Sequence, residues 1–190
     1  MLKNFMIIII NGASGAGKTY LLQQLKKIND DFVPIKKYTT RSVRSFENKE
    51  DSVDLVYNFS RDDIKKHKYN YEYKKEHYAI DDFELKEIIG QGKAPVVIIR
   101  DFDTIRKIKK DFSDVIVLFV IGETGQELNK RLVSQGRDKK DINVTEGLEK
   151  IIKEYVYNID LINHCLINSL YDKDLYLKQF FCYVNKYSKG

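Results

Sequence analysis

Phe5-Met6-Ile7-Ile8-Ile9-Ile10-Asn11-Gly12-Ala13-Ser14-Gly15-Ala16-Gly17-Lys18-Thr19 is the stretch on which the reading of this chain turns. Phe5–Ile10 is apolar throughout and rich in β-branched residues, the pattern of a strand buried on both faces. From Lys18 to about Ile28 the periodicity changes, and Leu21, Leu22, Leu25 and Ile28 fall on one face of a helix. Between strand and helix, Gly12 to Thr19 satisfy the spacing G-x-x-x-x-G-K-[S/T]. Glycines at 12, 15 and 17 permit positive φ angles and let successive backbone N–H groups close around an anion. The helix N-terminus adds its positive dipole, so the segment reads as a phosphate cradle.

That cradle assigns Gly12, Ala13, Ser14, Gly15, Ala16, Gly17, Lys18 and Thr19 to a bound ATP. Lys18 reaches the β and γ oxygens, and the Thr19 hydroxyl ligates Mg²⁺. Further apolar runs, Pro95–Ile99, Val115–Ile121 and the weaker His164–Ile167, alternate with helical patterns. Phe32–Tyr38 reads as one second strand. Asp81 with Glu84 opens a helix through Leu85, Ile88 and Ile89 that ends at Gly90 or Gly92, and Thr124 with Glu127 opens another. Ile142 to Asn158 and Leu170 to about Tyr187 read as the last two helices. The fold class expected is α/β, a P-loop NTPase-type parallel sheet flanked by helices.

The stretch 41–92 is Tyr-rich, charged and built of short alternating segments, a small mixed insertion beside the sheet that would bind an acceptor. Ser134–Val144 is polar, and 134–144 is expected to be a short lid. Residues 1–40, 93–133 and 145–190 then form the core. The 190 residues, 43% hydrophobic and 32% charged, suit one globular domain. The net charge of +5 comes from scattered lysine pairs, not a tract, so it argues for a small phosphorylated ligand over nucleic acid. Cys165 and Cys182 form no CxxC, and no apolar run spans a membrane. The expectation is a cytoplasmic protein without membrane or nucleic-acid partners, monomeric or homodimeric. His67, His77 and His164 lack ligand spacing.

Tyr38-Thr39-Thr40-Arg41-Ser42-Val43-Arg44 carries two arginines three apart, able to face one anion as planar bidentate donors. With the cradle Asn11–Thr19, Val56-Tyr57-Asn58-Phe59-Ser60, Tyr71-Glu72-Tyr73, His77-Tyr78 and Ile98-Ile99-Arg100-Asp101, it makes nearly the whole chain resemble the guanylate kinases. The resemblance implies ATP-dependent phosphorylation of GMP or dGMP. It implies that Arg41, Arg44, Tyr57 and Tyr78 hold the acceptor phosphate. It also implies that Glu72 and Asp101 read the base, and that lid arginines, of which Arg131 is in place, neutralise the transferring group beside Lys18; Arg137 is expected to compensate for a missing one.

The pattern departs at Lys37, where the family has a serine, and at Ala79 and Ile80 after Tyr78; Lys37 is a charged donor able to take the place of the lost ones. Ile99 replaces one strand-end carboxylate, while Gln135 and Glu146 fall where lid arginines are expected. The residues alone leave other readings open. Arg41 and Arg44 suit a solvated loop, Tyr57 and Tyr78 aromatic packing, Glu72 a surface charge, and Asp101 a helix cap. Two further functional readings share the fold: a kinase for another phosphorylated small molecule, and a nucleotide-binding module without turnover.

Overall fold

The computed structural model describes residues 6–44, 47–122, 133, 144–169 and 172–187. Strand β1 (Ile7–Gly12) lies at the centre of a five-stranded sheet, and helix α1 (Lys18–Ile28) follows it. The other strands of that sheet are β2 (Phe32–Pro34), β7 (Ala94–Ile98), β8 (Val115–Gly122) and β9 (His164–Asn168). Their order is β2-β7-β1-β8-β9, and every neighbouring pair is parallel. A second sheet has the order β4-β3-β6-β5, from β3 (Lys37–Thr39), β4 (Leu55–Val56), β5 (Tyr69–Tyr73) and β6 (Glu76–Ile80). The helices are α2 (Arg61–Lys65), α3 (Asp82–Gly90), α4 (Phe102–Asp111), α5 (Val144–Tyr157) and α6 (Lys173–Tyr187). No helix of the described residues is long and apolar enough to cross a membrane.

The isoleucine run of β1 explains why the strand shows no polar alternation. Ile8 and Ile10 face Leu21, Leu22 and Leu25 of α1 and Tyr176, Phe180 and Val184 of α6. Ile7 and Ile9 face Leu85 and Ile88 of α3 and Ile105 and Ile108 of α4. All four isoleucines are 0% exposed. Each contributes roughly 1.5–3 kcal/mol of burial free energy, which anchors the loop that leaves the strand's end.

Phe32–Tyr38 is not one strand. Phe32–Pro34 pairs with β7, and after the Ile35 amide donates to Val96 O at 2.9 Å the chain leaves the core sheet. Pro34 has no amide proton to extend an edge ladder. Lys37 N then donates to Asp54 O at 3.0 Å, and Lys37–Thr39 joins the second sheet. The second sheet therefore begins before residue 41, and α3, inside the 41–92 stretch, packs on the core sheet. Asp81 caps α3 by accepting from Phe83 N at 2.9 Å, and Gly92 takes the left-handed conformation that ends it. The start at Thr124 and Glu127, and lid residues 134–143, lie outside the described residues.

Candidate active site

Gly12 and Gly17 are positions where the cradle tolerates nothing larger. Gly12 sits at φ 129°, and a Cβ there would run into the Val120 backbone of the neighbouring strand. Gly17, at φ 93°, precedes α1, and a Cβ would strike the Asn168 amide. That amide donates from Nδ2 to Ala16 O at 2.8 Å and so fixes the loop from β9. Asn11 fixes the other end: its Nδ2 donates to Ile99 O at 2.8 Å, and its Oδ1 accepts from Gly12 N at 2.5 Å. Because Gly17 caps α1 without a side chain, no side-chain oxygen caps its first-turn N–H groups.

Lys18 is buried, and its ammonium donates to Gly12 O at 2.8 Å and to Ala13 O. Arg100 Nη1 donates to the same Gly12 carbonyl. Thr19 is exposed at the first turn of α1. No cluster of three or more His, Cys, Asp or Glu residues able to hold a metal exists among the described residues. A cation here would depend on the Thr19 hydroxyl plus ligand oxygens, which suits Mg²⁺.

The acceptor candidates Arg41, Arg44 and Tyr57 converge, and they do so on a residue the sequence reading missed. Glu47 Oε2 lies 2.8 Å from Arg41 Nη1, and Glu47 Oε1 accepts from Arg41 Nη2 at 3.1 Å. Arg44 Nη1 is 3.5 Å from Glu47 Oε1, and the Arg44 amide donates to Oε2 at 3.1 Å. The Tyr57 hydroxyl donates to Oε2 at 3.3 Å and accepts from Arg41 Nη2 at 3.2 Å. One anionic carboxylate is thus held by two guanidiniums, an amide and a phenol. Burial pushes the Glu47 carboxyl up, but the hydrogen bonds and charges of Arg41 and Arg44 outweigh it and leave it below the ordinary carboxylate range. Arg41 is 9% exposed; burial works against its charge, and Glu47 more than offsets that. The spacing Arg41-x-x-Arg44-x-x-Glu47 was the available signal, since a third charge at the same interval shares the turn.

Tyr78 joins this cluster from β6, beside Arg41 and Arg44, with Tyr71 stacked on it at 5.3 Å. Burial raises the pKa of the Tyr78 phenol. Lys37 is 4% exposed on β3, its ammonium 5.7 Å from the Tyr78 ring centroid.

Two base-reading candidates fall differently from expectation. Tyr71 pairs with Tyr78, and Glu72 with His77. Side chains alternate across a strand, so Glu72 points to the face opposite Tyr71 and Tyr78. It is 55% exposed and 3.9 Å from His77 Nε2. Asp101 Oδ2 accepts from both Thr104 N and Thr104 Oγ1 at 2.7 Å, which makes it the N-cap of α4. Arg131 and Arg137 lie outside the described residues.

Arg100 joins the two halves. Besides Gly12 O it donates to the Tyr73 hydroxyl at 3.0 Å, stacks over the Tyr73 ring at 4.9 Å and lies 3.8 Å from Glu154 of α5. Lys37 feels both Arg100 and Arg41, so the cations of cradle and clamp belong to one electrostatic neighbourhood.

Comparison with known proteins agrees with this geometry. The guanylate kinase family model matches residues 4–174. The guanylate kinase of Carboxydothermus hydrogenoformans is 25% identical over 171 residues, covering 86% of this chain and 80% of that one. That of Trichodesmium erythraeum is 26% identical over 181 residues, covering 92% and 96%. The crystal structure of guanylate kinase from Anaplasma phagocytophilum superposes with a TM-score of 0.66 at 13% identity, over 96% of this chain and 86% of that one. A glycine-walled cradle, a paired-arginine clamp and a family match over nine-tenths of its length establish that the chain belongs to the guanylate kinase family.

Proposed function

We propose that the protein transfers the γ-phosphoryl group of ATP to GMP or dGMP, giving ADP and the corresponding diphosphate. The observation that carries the reading is the Glu47 carboxylate gripped by Arg41, Arg44 and Tyr57. Those donors fit the planar, bidentate recognition of an acceptor phosphate, and a phosphate entering the clamp competes with Glu47 for them. On the other side, the α1 amides and Lys18 hold the donor phosphates. Thr19 and phosphate oxygens would hold Mg²⁺, which would supply charge neutralisation between them.

The reaction asks little covalent chemistry of the protein, so alignment and charge neutralisation carry the rate. Lys18 turns from the Gly12 and Ala13 carbonyls to the phosphates. Arg131, just before the 134–144 lid, and Arg137, within it, complete the neutralisation. The 41–92 stretch presents the acceptor, and its closure with the lid excludes water that would otherwise hydrolyse ATP. A cytoplasmic setting goes with this reading.

ADP release on mixing ATP, Mg²⁺ and GMP tests the reading, with two variants that divide the labour. Lys18→Ala is expected to lower turnover by about 10²–10³, the scale for deleting a transition-state donor. Arg41→Ala is expected to raise the KM for GMP about 10–100-fold with ATP affinity retained, as for the loss of a charged hydrogen-bond pair. ATP binding with no transfer to GMP, or equal loss of ATP affinity in both variants, would remove it.

A further inference from the structure

Arg100 stands between the two half-sites with only neutral groups in hydrogen-bond reach. Its Nη1 donates to Gly12 O, the carbonyl that also takes the Lys18 ammonium, and its Nη2 donates to the Tyr73 hydroxyl at 3.0 Å. Nε is buried and has no hydrogen-bond partner among the described residues. The side chain is 13% exposed, and the carboxylate it pairs with, Glu154, stays 3.8 Å away, too far for a hydrogen bond. A guanidinium withdrawn from water onto neutral acceptors is costly, and such groups persist where a ligand anion supplies the missing partner. Two cations on one carbonyl raise that cost by mutual repulsion, and an anion that enters between them removes it.

The fold says where such an anion would lie. Gly12 ends β1 and begins the loop of the cradle, on which Lys18 also sits. On the other side, the Arg100 backbone is hydrogen-bonded to the Tyr71 hydroxyl, Tyr71 stacks on Tyr78, and Tyr78 lies beside Arg41 and Arg44. Arg100 is thus fixed to the cradle through one set of contacts and to the clamp side through another. A phosphoryl group passing from donor to acceptor crosses that region. Gln135 and Glu146 stand where lid arginines are expected, so the lid brings less positive charge than the transfer calls for.

We propose that Arg100 is a catalytic residue, whose guanidinium binds the phosphoryl group in transit and supplies from the core the charge that positions 135 and 146 do not supply from the lid. This deepens the kinase reading and rests on it. In the transfer, the bond between the γ-phosphorus and the β–γ bridging oxygen breaks, and its electron pair leaves with ADP. An ionised oxygen of the acceptor phosphate bonds to the same phosphorus, so no proton has to move. Negative charge spreads over the three equatorial oxygens as this happens. Arg100 Nη1 then exchanges a neutral carbonyl for a charged oxygen, a stronger bond made only in passage.

Steady-state rates with ATP, Mg²⁺ and GMP test this on the full chain, on Arg100→Met and on Arg100→Lys. Equilibrium binding of ADP, Mg²⁺ and GMP, with and without aluminium fluoride as the mimic of the planar phosphoryl group, is the second measurement. Arg100→Met is expected to lower kcat by about 10²–10³, the scale for one transition-state donor. Its dissociation constants for ATP and GMP are expected to rise by no more than about tenfold, and the affinity gained from fluoride to fall by the same factor as kcat. Arg100→Lys keeps the charge without the fork and is expected to fall between the two; it decides the matter where Arg100→Met no longer binds ATP. A kcat loss below about tenfold, or one that the dissociation constants account for in full, overturns the inference and leaves the kinase reading standing. A parent that releases no ADP with GMP, yet gains affinity from fluoride through Arg100, keeps the inference and removes transfer to GMP. A parent that neither transfers nor gains from fluoride removes both.

Discussion

Lys37 shows what a buried ammonium costs the fold. Its pKa falls from an ordinary 10.5 to about 8 because burial disfavours the charged form. Between pH 8 and 10.5 the folded protein binds fewer protons than the unfolded chain, so stability rises with pH across that window. Below pH 8 the penalty is fully present, on the order of 3 kcal/mol at 1.36 kcal/mol per unit. Lys37→Met is thus expected to be more stable than the parent at pH 7 by up to that amount, with the difference closing as pH approaches 10.5. Urea unfolding of both proteins at a series of pH values measures it, and a pH-independent difference would contradict the burial account. Glu47 acts in the opposite sense, by occupying the clamp. Replacing it by glutamine keeps the shape and removes the competing charge, so GMP affinity is expected to rise by about 3–10-fold. Stability is expected to fall by about 1–3 kcal/mol, the worth of hydrogen bonds to a charged group. Calorimetric titration and thermal unfolding read the two effects, and unchanged or weaker GMP binding would show that Glu47 only positions the arginines.

Among the elements, those buried on both faces were legible and those made by tertiary choice were not. The isoleucine run of β1 and the spacing of Leu21, Leu22 and Leu25 appear in the structure as the sequence places them, because burial alone dictates both patterns. The clamp was legible as charge spacing, while its occupant Glu47, at the same interval, was missed. The division of Phe32–Tyr38 between two sheets was signalled only by Pro34 and by Lys36-Lys37, and the apolar Ile35 between them let the stretch read as one strand. The face on which Glu72 lies is set by one turn. β5 and β6 are joined by Lys74-Lys75, both at positive φ, 52° and 65°. A two-residue turn of that kind sets Tyr71 opposite Tyr78 and Glu72 opposite His77, and it normally carries Asn-Gly. Lysines there give no sequence signal and are strained by roughly 1 kcal/mol each. The double change Lys74→Asn with Lys75→Gly is expected to raise stability by about 1 kcal/mol without altering acceptor KM, as judged by denaturant midpoint and initial rates. A loss of stability would mean the lysines hold the turn by contacts beyond backbone geometry.

At the scale of the molecule, the two sheets meet at Arg100, which sits just past the end of β7 and before the cap of α4. Its guanidinium bonds the carbonyl at the mouth of the cradle, the Tyr73 hydroxyl of the second sheet and, at longer range, Glu154 of α5. No other side chain described here donates to both the cradle backbone and the second sheet. In the proposed reaction Arg41 serves one substrate and Lys18 the other, so a residue that couples the halves has a different kinetic signature. Arg100→Met keeps most of the apolar stem and removes the donors. It is expected to raise KM for ATP and for the acceptor together, each by about 3–10-fold, because both half-sites lose their common reference. A double-mutant cycle with Tyr73→Phe is expected to give a coupling energy of about 0.5–3 kcal/mol in unfolding, the range for residues in one hydrogen-bonded network. Strictly additive effects would mean that cradle and second sheet are held in register without this network, by the packing of Tyr69, Tyr71 and Ile80 against the core strands. An effect of Arg100→Met on only one substrate would assign the arginine to that half-site.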